Sequence, residues 1–367
     1  MTNFAAVRLI AALAVVLGHS FVLAGAPPPM LLGTPVHVLA VRVFFVVSGY
    51  LVCSSWQRDR HVPRFLARRA LRIMPGLVAV VLLTVGVLGP AMTRLPIQAY
   101  VRDPITLDYL WNLGLAPRFA LPDVFEDGRA FTAVNGALWS LPVEVAMYLL
   151  LPVYIWWRAA LPVVAAAAIA AAIAFTVVWP NQVQPVFYAT SLPFSLRFAA
   201  DFVIGAWVCR ARLERFLGLQ TAFLLVAAAQ ACTFAPLLGG LVSAVALPYA
   251  VLTFCLAPRP MFGWLERRAD LSYGIYLWGG PVQQVALSVL GVGAGWIRIT
   301  ALAVPFVLLL AALSWFFVER PALSWKPAVR RSPTPGRSLE GRGEQNQATA
   351  VTGRIESSPP LASIVAK

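Results

Sequence analysis

Several ionisable side chains lie inside long apolar runs: Arg8, His19, Arg42, Glu144, Arg197 and Asp201. Each costs about 2.5–3.5 kcal/mol at the centre of a membrane helix on insertion scales, so their types and spacing are the first guide to chemistry. Arg8 and His19 share one run. Eleven residues is close to three helical turns and about 16 Å of rise, so one helix face would carry a cation low down and an imidazole higher up. An imidazole titrates near neutrality and could take the proton of an attacking hydroxyl, or it could simply hydrogen-bond a neighbouring helix. Glu144 lies about two turns past the start of its run. At a depth similar to that of His19 it could orient the imidazole, bind substrate hydroxyls, or neutralise an arginine such as Arg42. Arg197 and Asp201 stand four apart, the spacing of a pair neutralised within one helix. His37 sits at the edge of the second run. Arg68, Arg69 and Arg72 open the third. Arg69 and Arg72 are three apart and face the same way, which suits a bidentate grip on phosphate or plain anchoring beside anionic lipid.

The elements that must position these groups follow from composition. The chain of 367 residues is 60% hydrophobic and 12% charged. A soluble domain carries roughly 25% charged residues, so the missing polar surface must face lipid. The expected fold is an all-α integral membrane protein with about ten transmembrane helices. The candidate spans are roughly 3–24, 36–56, 74–90, 137–157, 161–179, 194–210, 217–235, 238–257, 271–291 and 297–318, since about 20 apolar residues cross a bilayer. Arginines crowd the loops that follow the second, sixth and eighth spans, whereas the long loop 91–136 mixes arginines with Asp103, Asp108, Asp123, Glu126 and Asp127. This asymmetry puts both termini in the cytoplasm. The net charge of +14 falls between apolar runs instead of along one face, so the bilayer is the expected partner and nucleic acid is not. Residues 1–326 form the expected membrane domain. Residues 327–367, rich in Pro, Gly, Ser and Arg, are expected to be a disordered cytoplasmic tail. Cys53, Cys209, Cys232 and Cys255 have no metal-type spacing and are expected to be buried thiols, with no metal bound.

Six segments, in order over residues 3–322, resemble the bacterial membrane O-acyltransferases of the acyltransferase-3 family. FAAVRLIAALAVVLGHSF is similar to the family's first span, on Arg8 and His19. VRVFFVVSGYLV resembles the second-span motif, on Phe44, Phe45, Ser48 and Gly49. RRALRIMP resembles the arginine pair before a proline, on Arg69, Arg72 and Pro75. NGALWSLPVEVAMYLLLPV matches on Trp139, Ser140, Glu144 and Tyr148, LSYGIYLW on Ser272, Tyr273, Tyr276 and Leu277, and VERP closes the series at 318–321. The chain departs from the family where many members carry a histidine after the late Tyr-Leu: here Trp278-Gly279-Gly280 follows. Some members also have an aspartate where Arg42 stands.

The resemblance implies transfer of an acyl group, most often acetyl, from a cytosolic acyl-CoA to a hydroxyl of an envelope or secreted glycan or of a lipid-linked acceptor, in a bacterial inner membrane. On that reading His19, Glu144 and Arg8 are catalytic: His19 as base or acyl relay, Glu144 as its orienter, Arg8 as charge stabiliser or guide for the CoA chain. Arg69 and Arg72 would hold the CoA phosphates. The acyl-CoA is a co-substrate, and no tightly bound cofactor is expected. A transporter or flippase is the competing reading, although neither inverted repeats nor paired broken helices are evident.

Overall fold

The structure is a computed structural model that describes residues 2–129, 131–155, 160–178, 186–188, 190–267 and 269–327. The expected cytoplasmic tail, from residue 328 on, lies outside the described residues, as do Arg158 and Arg268.

Ten principal helices account for the ten apolar runs. They are α1 (Phe4–Leu23), α2 (Val36–Arg58), α3 (Val62–Leu83), α4 (Leu141–Tyr154), α5 (Leu161–Val178), α6 (Leu192–Ala211), α7 (Leu219–Ala231), α8 (Pro236–Cys255), α9 (Ser272–Leu290) and α10 (Trp296–Ser314). Among the described residues, 7 helices are long and apolar enough to cross a membrane by length and composition. The helices around Leu161–Ala174 and Leu219–Phe234 are shorter, and α9 is diluted by Gln283 and Gln284. Short antiparallel ladders, β1 (Met30–Leu31) with β2 (Thr34–Pro35) and β3 (Val186–Phe187) with β4 (Thr190–Ser191), close two of the connections.

The third span is longer than its apolar run. It starts at Val62, with the His61 ring accepting from the Arg64 backbone and a proline in the first turn. The arginine-rich stretch is therefore already helical, and the span continues through a π-turn over Thr84–Leu88. Arg64 and Arg68 both grip Asp59, at 2.6 and 2.8 Å, which ties the α2–α3 connection and holds that carboxyl below its usual range.

Helices α2 and α6 cross with their backbones almost touching. A Cβ on Gly49 would lie 2.0 Å from the Phe202 carbonyl oxygen, and one on Gly205 would lie 2.2 Å from that of Val46. Small residues facing each other are how helices approach closely where lipid supplies no hydrophobic drive. Beside this crossing Phe45 stacks on Phe198 at 5.1 Å. Arg42 forks onto Asp201 with bonds of 2.8 and 3.2 Å, both side chains almost fully buried. This corrects the expected Arg197–Asp201 pair. The close crossing delivers a bidentate partner from α2, a better match for a buried carboxylate than a single contact along one helix.

The loop before α4 is fastened to α9. Arg129, buried, pairs with Asp127 and donates to Gln284 Oε1 at 2.7 Å and Ser288 Oγ at 2.9 Å. Gln284 in turn donates to the carbonyls of Phe131 and Ala133. The Arg129 guanidinium holds the Asp127 carboxyl below its ordinary value.

Candidate active site

Two cavities stand end to end between α1, α2, α4 and α9. The larger, about 380 Å³, contains His19 and is lined also by His37, Trp139, Phe194, Tyr276 and Gln283. His19 sits one turn before the end of α1, where its ring faces that of His37 with centroids 5.3 Å apart. Gly18 makes this approach possible: a Cβ there would lie 2.6 Å from that of His37. Gln283 donates to the Val16 carbonyl and to Ser20 Oγ, each at 2.6 Å, which fixes α9 against α1 and leaves its own Oε1 buried without a partner. Among the described residues no hydrogen bond occupies the His19 ring. Phe131, Ala133 and Gly136 close the cavity from the fastened loop.

The smaller cavity, about 100 Å³, lies toward the other end of the same helices and is lined by Arg8, Ser48, Arg69, Arg72, Glu144 and Tyr148 among others. Asp270 is its hub. Arg8 reaches Oδ2 at 2.8 Å, Arg72 reaches it at 2.7 Å, and Ser272 donates to Oδ1. Burial alone would raise this carboxyl, but Arg8 and Arg72 outweigh it and hold Asp270 well below the usual range. Arg72 also lies 3.8 Å from Glu319, which accepts from Ser314. Arg69 contacts no carboxylate among the described residues. Its guanidinium lies over the Tyr148 ring at 5.9 Å, and its Nε is buried without a partner. Glu144 accepts from Ser48 Oγ at 3.2 Å and from Tyr148 Oη.

Val41 and Tyr276 line both cavities and so form the partition between them. Tyr276 is held there by the Ala137 carbonyl, to which it donates at 2.7 Å, and by Ser140 Oγ at 2.5 Å. Phe44 meets its ring edge-on at 5.9 Å.

Residues 2–318 match the acyltransferase domain of the acyltransferase-3 family. The chain belongs to the acyltransferase-3 family. As a member it is a multi-pass membrane O-acyltransferase. It is 28% identical to an O-acetyl transferase of Shigella phage Sf6, over 88% of this chain and 96% of that one. It is also 28% identical to nodulation protein 10 of Rhizobium leguminosarum, over 89% and 94%. Against the peptidoglycan O-acetyltransferase of Listeria monocytogenes identity is 23%, over 77% of this chain and 51% of that protein. No solved structure matches the chain.

The family motifs gather around the two cavities, with one correction. Glu144 does not reach His19. The chain spends Gly136–Ser140 in a 3-10 turn before α4 begins, so Gly136 and Trp139 stand at the histidine's level. Glu144 lies five residues beyond Trp139, about 7 Å further along the axis, facing the arginine cavity. Arg69 and Arg72 do share that cavity, as their spacing predicts, but Arg72 is neutralised and Arg69 is not. The glycines that stand where many acyltransferase-3 proteins have a histidine bring α9 close. A Cβ on Gly280 would lie 2.9 Å from Asn135 Oδ1, and the Asn135 amide donates to the Leu277 carbonyl. Sequence reasoning missed Asp270, Gln283 and the pairing of His37 with His19. For His37 a signal exists: two histidines flank one short connection, and antiparallel helices bring such residues to the same level.

Proposed function

We propose that this acyltransferase moves an acetyl group from cytosolic acetyl-CoA to a hydroxyl of an envelope or secreted glycan, in a bacterial inner membrane. The observation that carries the reading is the pair of cavities back to back, one with a histidine whose ring no hydrogen bond among the described residues occupies and the other with arginines. The acceptor hydroxyl enters the larger cavity and His19 takes its proton as the oxygen attacks the thioester carbonyl. The carbon–sulfur bond breaks, and the proton passes from His19 to the departing thiolate. His37 packs against the imidazole, in the place that the sequence suggested for Glu144. Arg69, the cation of its cavity without a carboxylate, takes a CoA phosphate. Arg72 and Arg8, crosslinked through Asp270, shape the passage for the CoA arm. Arg8 stands about 16 Å of helix from His19, which favours the guiding role over stabilising charge at the reacting carbon. The relatives named for O-acetyl transfer support acetyl as the group moved.

The decisive experiment follows label from radiolabelled acetyl-CoA into an envelope-glycan extract, with membranes holding the wild type or His19→Ala. Transfer by the wild type alone supports the reading. Equal transfer by the variant removes His19 from the chemistry.

A further inference from the structure

Beside the histidine cavity lies a third, about 600 Å³, whose lining includes Arg42 and Arg197. Val38 and Phe194 line both it and the His19 cavity, so the two are neighbours separated by these side chains. Its charge does not balance. Asp201 is taken at both oxygens by Arg42. Arg197 makes only neutral contacts, to the Gly240 carbonyl at 3.2 Å and Ser243 Oγ at 3.0 Å. No carboxylate pairs with it among the described residues, and residues 179–185 and 189, which lie outside them, contain no Asp or Glu. One guanidinium charge without a carboxylate partner thus faces a mainly apolar space, lined by Val38, Ile173, Phe194 and Leu237, inside a membrane domain. Such a charge is costly and marks a ligand by default.

Depth and surroundings choose the ligand. Arg197 lies five residues into α6, about 8 Å from its end. That end is on the same side of the bundle as His19, which lies four residues, about 6 Å, from the end of α1. Met30, Phe194 and Leu237 at the rim are exposed apolar side chains, a surround that suits acyl chains and repels a hydrated free ion. Gln230, Thr233 and Thr34 add neutral polar groups to the lining. We infer that this cavity holds the phosphate of a lipid, with Arg197 as its counter-ion, and that the acceptor hydroxyl reaches His19 while its carrier phosphate rests there. The second half of this inference rests on His19 being the acceptor end of the reaction; the binding site itself does not.

The full chain in phosphatidylcholine nanodiscs, titrated with phosphatidic acid and read by native mass spectrometry, tests it. The wild type is expected to retain one phosphatidic acid in preference to phosphatidylcholine, and excess inorganic phosphate is expected not to displace it. Arg197→Gln should lower that preference about fivefold, as one arginine at a lipid headgroup contributes. Ile173→Trp narrows the cavity, leaves Arg197 in place, and should lose the lipid too. Undiminished retention by either folded variant, or displacement by inorganic phosphate, overturns the site. His19→Ala should keep the lipid and lose transfer, so a failure of the proposed chemistry and a failure of this site give different results.

Discussion

A positioned base contributes about 10²–10⁴-fold to proton transfer, and His19→Ala is expected to lower acetyl transfer by that factor while the protein still inserts. Arg69 and Arg72 should separate in the same assay. Arg69→Gln is expected to raise the KM for acetyl-CoA with little change in kcat. Arg72→Gln should also lower thermal stability, because it leaves Asp270 with one cation, Arg8, beside Ser272. Asp270 sets a pH dependence. Its folded pKa is depressed, so its contribution is complete above the ordinary carboxylate value of about 3.9 and is lost as pH falls through the lower folded value. The difference in unfolding temperature between wild type and Asp270→Asn should therefore stay constant from neutrality down to about pH 5 and shrink only below that. His19 and Arg69 were legible in the sequence because an ionisable group inside an apolar run announces itself. Asp270 was not, since a carboxylate in a loop beside arginines reads as a solvated charge until the start of α9 meets Arg8 of α1 and Arg72 of α3.

At the level of helices, hydropathy located the ten runs because a bilayer admits few alternatives to the helix. It misjudged depth wherever the helix and its apolar run part company. The start of α3 is basic yet helical, and the entry to α4 is apolar yet wound as a 3-10 turn, which is why Glu144 stands below the histidine. The α2–α6 crossing offers the clearest test of packing. Asp201→Asn leaves Arg42 buried against a neutral partner and should cost about 3–5 kcal/mol, as broken buried pairs do. The double variant Arg42→Leu with Asp201→Leu should recover much of that loss in a thermal unfolding assay. Gly49→Ala should destabilise the fold by about 1–3 kcal/mol, because its Cβ has only a backbone carbonyl to displace.

For the molecule as a whole, the charge asymmetry of the loops predicts that a membrane-impermeant maleimide applied to intact cells labels a cysteine placed at Arg94 and spares one placed at Arg64. On the proposed reading, donor and acceptor arrive from opposite faces and meet at a partition built from Tyr276 and Val41. On that reading the wall has a duty besides chemistry: it would be the electrical seal of the membrane at this point. Where an ordinary enzyme can tolerate a widened pocket, this one would become a conductance. Tyr276→Ala, reconstituted in liposomes, is expected to collapse an imposed proton gradient faster than wild type, and Tyr276→Phe, which keeps the ring, is expected to hold it. The side chain that divides the two chambers would thus limit how large the reacting space can grow in a membrane that has to stay energised.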